Sequence, residues 1–104
     1  MTMVSRVGYR FGTNQQTLKD IIRMRGLKKS HLTSVVKSIR VSTEGGLSQV
    51  IAYKSSDGIT EYVEHLVTNR VGKILHHDIE SVRLDSGQII ERIEDLRARL
   101  NRRY

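Results

Sequence analysis

The chain contains no cysteine, no proline and no tryptophan. Without cysteine there is no disulfide scaffold and no thiolate to serve as nucleophile or metal ligand. Aromatic residues are scarce at 5%, four Tyr and one Phe. No apolar run approaches the ~18 residues of a membrane-spanning helix. Met1-Thr2-Met3-Val4-Ser5-Arg6 lacks the apolar stretch of a secretory signal. The glycine patterns that cradle phosphates, Walker and G-x-G-x-x-G, are missing, as is the G-x-S-x-G elbow. These absences lead us to expect a cytoplasmic protein with no cofactor, no metal and no catalytic residue that a motif identifies.

What is present is base. The chain has 104 residues, with 18 Lys and Arg against 11 Asp and Glu, a net charge of +7. The length fits one domain, because two halves would each have too little core. The charge is segregated. Residues 1–40 carry Arg6, Arg10, Lys19, Arg23, Arg25, Lys28, Lys29, Lys37 and Arg40 against a single acid, Asp20. Residues 41–80 carry Lys54, Arg70 and Lys73 against Glu44, Asp57, Glu61, Glu64, Asp78 and Glu80. A basic front beside an acidic middle implies a directed electrostatic surface suited to a polyanion.

With no proline, punctuation falls on eight glycines. Thr13-Asn14-Gln15-Gln16 has the form of a capping box with Thr13 as N-cap. Leu18, Ile21 and Ile22 then follow at helical spacing, and Gly26 suits the end of a helix. Ser30 can cap a second helix, with Leu32, Val35, Val36 and Ile39 as its stripe. The spacing therefore predicts helices over 14–25 and 30–40. Ser42-Thr43-Glu44-Gly45-Gly46 reads as a loop between this basic helical front, 1–41, and a mixed rear, 48–104. Ser48–Lys54 reads as a strand and Ser55-Ser56-Asp57-Gly58 as a turn. Residues 59–69 read as a helix in preference to the second arm of a hairpin, because Tyr62-Val63 and Leu66-Val67 break strict alternation. Residues 73–76 and 79–84 read as short strands around His77-Asp78. Ile89, Ile93, Leu96 and Leu100 have heptad spacing in a basic C-terminal helix and could zip a homodimer or cover the chain's own sheet. The expected fold is thus α+β: an N-terminal helical pair, a short antiparallel sheet and a basic C-terminal helix in a single domain, 1–104.

Leu18, Gly26, Leu27 and Leu32 are spaced in a way that resembles the phage-repressor-like helix-turn-helix family, over about 25 residues. After Val36 the pattern departs, and the third-helix start is displaced to Val41-Ser42 and interrupted by Gly45-Gly46. The resemblance implies a second helix in the major groove of duplex DNA, with Lys28, Lys29, His31, Ser34 and Lys37 at the contact. Arg6, Arg10, Lys19, Arg23, Arg99, Arg102 and Arg103 would then hold phosphates. The arm Arg6-Val7-Gly8-Tyr9-Arg10-Phe11-Gly12 admits two readings: a basic, aromatic strap for nucleic acid, or an edge strand with Val7, Tyr9 and Phe11 inward.

Histidine offers other chemistry. His76 and His77 point to opposite faces if they lie on a strand, so they do not suit one metal ion. His76 or His77 with Glu80 and Arg83, or His31, could serve a small ribonuclease. The leading expectation is a non-enzymatic nucleic-acid-binding protein, duplex DNA favoured over RNA, of the size and charge of a virus- or plasmid-borne accessory factor. An adaptor or inhibitor that binds an acidic protein surface is the alternative.

Overall fold

The structure, a computed structural model, describes residues 10–102. Its elements are β1 (Arg10–Thr13), α1 (Gln15–Met24), a 3-10 turn at Lys29–His31, β2 (Thr33–Val41), β3 (Leu47–Lys54), β4 (Thr60–Thr68), β5 (Ile74–Arg83), β6 (Ile89–Arg92) and α2 (Ile93–Asn101). One six-stranded sheet runs in the order β1-β6-β5-β4-β3-β2. Strands β2 to β6 form an antiparallel meander, and β1 joins its far edge parallel to β6. The expected helical pair is absent, and the molecule is mostly a mixed sheet with two short helices.

Helix α1 falls where the apolar spacing places it, but its cap differs. Asn14, not Thr13, is the N-cap, and its Oδ1 accepts from Thr17 N at 2.9 Å. Gln16 turns forward to donate to Asp20 at 2.9 Å instead of reaching back. The preceding Gln15 docks the helix on the sheet. Its amide nitrogen donates to the Ile79 carbonyl and its amide oxygen accepts from Ile79 N, both at 2.7 Å. Gly26, at φ 66°, ends the helix in the left-handed conformation that glycine tolerates best.

The second predicted helix is instead β2, preceded by a single 3-10 turn. Thr33, Val35, Val36, Ile39 and Val41 are β-branched and favour an extended chain. The register against β3 shifts between Val36 and Ser38, which leaves Lys37 as the extra residue of a bulge. That bulge returns Ile39 to the face of Val36 three residues later. A step of three within a strand reads as helical spacing.

Residues 59–69 likewise form β4, the hairpin arm that the spacing had disfavoured. Tyr62, Glu64 and Leu66 take one face, while Val63, His65 and Val67 take the other. Apolar residues on both faces gave the adjacent pairs that broke the alternation. The two short strands expected at 73–76 and 79–84 are one continuous β5, with further register shifts against β4. Ile89 belongs to β6 and not to a helix, so α2 begins four residues later than the heptad spacing suggests.

The pairings define two faces. On one, α1 covers Ile51, Tyr53, Tyr62, Ile79 and Val82, with Leu18 at the centre of the cluster. The other is the open face. It carries Ser38 and Arg40 from β2, Val50 from β3, Val63 and His65 from β4, and His76, Asp78 and Ser81 from β5. Helix α2 lies over one end of it. A side chain at Gly12 would run into Ile93 Cδ1 at 2.5 Å and Leu96 Cδ2 at 3.1 Å, so only glycine lets α2 settle on β1. Ile93 and Leu96 of the heptad stripe thus pack on the chain's own edge. Phe11, inward on the edge-strand reading of the arm, is 48% exposed. Arg6, Val7, Gly8, Tyr9 and Arg103, and the Arg10 side chain, lie outside the described residues.

Candidate functional site

Four charged residues are buried among the described residues, Glu61, Glu64, Asp78 and Glu91, and all four are acids. A buried carboxylate is costly unless a base and hydrogen bonds meet it. Each has a base. Glu61 binds Arg25 at 2.9 Å and Arg83 at 3.3 Å. Arg25 also donates to the Arg83 carbonyl. Asp78 Oδ2 binds Arg92 at 2.7 Å, and Glu91 Oε1 binds Arg99 at 2.9 Å.

Glu64 is the most fully met. Lys29 Nζ lies 2.8 Å from its Oε2 and His77 Nε2 lies 2.5 Å from the same oxygen. Tyr53 donates its hydroxyl to Oε1 at 2.9 Å. Burial pushes the Glu64 carboxyl up, but hydrogen bonds from Lys29, His77 and Tyr53 outweigh it and hold the group below its ordinary range. Tyr53 stacks on Tyr62 at 4.7 Å between centroids, and burial pushes the Tyr62 hydroxyl up to about 12.

Three of the six acids in residues 41–80, Glu61, Glu64 and Asp78, are therefore turned inward, and the front and rear supply their counter-charges. This relocates several expected contact residues. Lys29 neutralises Glu64 under α1 and lies 5.2 Å over the Tyr53 ring. Arg99 serves Glu91, and Arg23 pairs on the surface with Asp20 at 2.9 Å. Lys19 on α1 and Lys28 in the segment that follows it remain exposed. Ser34 and Lys37 sit on β2, and His31 ends the 3-10 turn. The set expected on one recognition helix is thus split between a 3-10 turn with its preceding residue and a strand, and does not lie on one helix. Lys29→Met should lower the unfolding free energy by about 1–2 kcal/mol, screened because half of the lysine is in water. It should leave nucleic-acid affinity unchanged, checked by urea denaturation and by titration of the folded variant.

The open face holds a trough of about 410 Å³, lined among others by Lys37, Val50, Val63, Ser81, Asp95 and Arg102. A second hollow of about 240 Å³, lined by Ser38, Arg40, Ser48, His65, Glu80 and Arg92, shares Val50 and Glu80 with it. Burial pushes the Glu80 carboxyl up against the pull of Arg92, and Asp95 adds to the rise. Lys37, Arg40 and Arg102 stand at this rim with no ion pair to a described residue. Sequence reasoning had included Lys37 and Arg102 but missed Arg40, which lies in the same strand and only the bulge register places beside Ser48.

His76 faces the open side while His77 faces Glu64 on the other, so the pair does not converge with Glu80 and Arg83. Comparison with protein-family models, curated proteins and solved structures finds no match for this chain. Among the described residues no helix is long and apolar enough to cross a membrane.

Proposed function

We propose that this chain is a non-enzymatic nucleic-acid-binding protein that holds the phosphate backbone of duplex DNA against the rim of its open face. Lys37 and Arg40 of β2 and Arg102 at the end of α2 make the contact. The observation that carries the reading is the inward turn of the acids. With Glu61, Glu64, Asp78 and Glu91 buried and each met by a base, these acids leave little uncompensated negative charge to repel a polyanion, while Lys37, Arg40 and Arg102 have no ion pair to a described residue. Phosphate contacts of this kind position a protein without reading sequence. Duplex is favoured over single strands because no described Tyr or Phe lies on the open face to stack with unpaired bases. The expected docking of a recognition helix is replaced by docking of a strand and its rim.

Labelled duplex DNA, single-stranded DNA and RNA, titrated by fluorescence anisotropy at several salt concentrations, test this. Three phosphate contacts give a log–log salt slope of about −2.7, and contacts from further exposed bases steepen it. Duplex preference with that slope supports the reading, and no binding at low salt overturns it.

A second reading rests on one feature. Strand β2 is the outermost strand, exposed along its whole length, and it carries Val36, Ile39 and Val41 beside its bases. An extended segment of an acidic protein could add to that edge. Excess heparin would displace DNA but would not readily displace a strand-paired protein.

A further inference from the structure

We propose that His65, Asp78 and His76 bind a divalent transition-metal ion, zinc by preference, that clamps β4 to β5 on the open face. This goes beyond the nucleic-acid reading and does not depend on it. The register pairs His65 directly with Asp78, and His76 with Val67 two residues along the same face of β4. The three side chains therefore project to one side of two adjacent strands. Their donor atoms, one from each, all lie within 4.8 Å of one another. His65 Nδ1 lies 3.3 Å from Asp78 Oδ1, and His76 Nε2 lies 3.5 Å from the same oxygen. Ligands about 2.0–2.1 Å from a tetrahedral ion are separated by roughly 3.3–3.4 Å. The two separations from Asp78 Oδ1 are edges of about that size.

A direct hydrogen-bonded arrangement explains the cluster less well. Histidine–carboxylate hydrogen bonds run near 2.7–2.9 Å. Here His65 Nδ1 and Asp78 Oδ1 are both buried atoms without a hydrogen-bond partner. Asp78 itself is only 8% exposed. With the His65 proton on Nε2, two lone-pair-bearing atoms face each other in a buried place and need something between them.

The neighbours orient the donors as metal sites require. Ser48 Oγ lies 2.9 Å from His65 Nε2. When Nε2 donates to that hydroxyl, Nδ1 carries the lone pair toward Asp78. Arg92 takes Asp78 Oδ2 at 2.7 Å and leaves Oδ1 for the ion. The other charged groups facing the cluster are Glu80, Arg92 and Arg40, and the two guanidinium groups lower cation affinity. Two imidazoles and one carboxylate suit zinc, and they suit magnesium and calcium poorly, since those ions want oxygen donors. Three protein donors leave room in the coordination sphere for water.

The test uses the full chain freed of metal by dialysis against a chelator. Zinc is titrated by calorimetry and cobalt(II) by visible absorption. We expect one equivalent to bind with micromolar affinity, four-coordinate cobalt bands, and a rise in melting temperature with zinc. Magnesium at the same concentration should give neither heat nor a melting shift. His76→Ala removes an exposed ligand, so folding should be kept while zinc affinity falls at least tenfold and the melting shift disappears. His65→Ala should do the same. Ser48→Ala should weaken binding by about tenfold through loss of the orienting hydroxyl. His31→Ala, remote from the cluster, should change nothing. Absence of zinc heat and cobalt bands, or stoichiometric binding that His76→Ala leaves intact, would overturn the site. Should His65→Ala fail to fold, the His76→Ala result decides.

Discussion

Leu18→Ala should lower the unfolding free energy by about 3–4 kcal/mol, and urea denaturation followed by circular dichroism would measure it. The size follows from position. Leu18 is fully buried, is the only buried residue of α1, and sits among Ile51, Tyr53, Tyr62, Ile79 and Val82. Truncating a buried leucine removes its transfer free energy and leaves a cavity, for about 2.7–5 kcal/mol in all. The sheet beneath is held in place by its own ladders and by the stacked tyrosines, so the cavity cannot close easily. A ten-residue helix does not persist without packing. Loss of Leu18 therefore loosens the whole covered face, including the cap that keeps Glu64 and Lys29 together. Met24 on the same helix is 80% exposed, and its change to Ala should stay within about 0.5 kcal/mol. Equal effects at the two positions would mean that α1 does not pack as described.

The same thinness of core explains what the sequence could and could not disclose. Helix α1 was legible because one stripe, a polar cap and a glycine stop all agree locally. Strand β3 and the turn at Ser55–Gly58 were legible for the same reason, with Gly58 at φ 82° donating to Ser55 at 2.9 Å. Strands β2 and β4 were not. The bulge at Lys37 put Val36 and Ile39 three apart, and β4 carries apolar residues on both faces. Both patterns imitate a helix, and only pairing with neighbouring strands separates the cases. The charge segregation was legible as a number but not as a geometry. Half of its acids, Glu61, Glu64 and Asp78, proved to be interior, which no linear reading of 41–80 discloses. The histidines show the same limit. His76 and His77 do point to opposite faces, as a strand requires. The side chains nearest His76 on that face, however, are His65 and Asp78, the first reached only through the β4–β5 pairing, eleven residues away in sequence. Local sequence carries local structure, and a site assembled by strand register appears only once the register is known.

The double variant Lys37→Glu, Arg40→Glu should weaken duplex DNA binding by more than about 60-fold at 0.1 M salt. A single phosphate contact contributes about 0.9 to the log–log salt slope, so it is worth roughly eightfold between 0.1 and 1 M salt. Removing both cations multiplies that to about 60-fold, and reversed charge adds repulsion. The salt slope itself should become shallower by about 1.8. Both side chains are on the exposed strand β2, so stability should change by no more than about 0.5 kcal/mol each. That separates a binding defect from unfolding. The comparison variant is Lys19→Glu, Lys28→Glu, on α1 and the segment that follows it, outside the open-face rim. If the open-face rim holds the DNA, this second variant alters only the long-range field and costs a few-fold at low salt, fading as salt screens it. The opposite ranking would move the interface to the helix side. Equal losses from both pairs would mean that the protein is held by its overall charge and has no preferred face. Only a dominant effect at Lys37 and Arg40, accompanied by the shallower slope, ties the polyanion to the strand that sequence periodicity had presented as a helix.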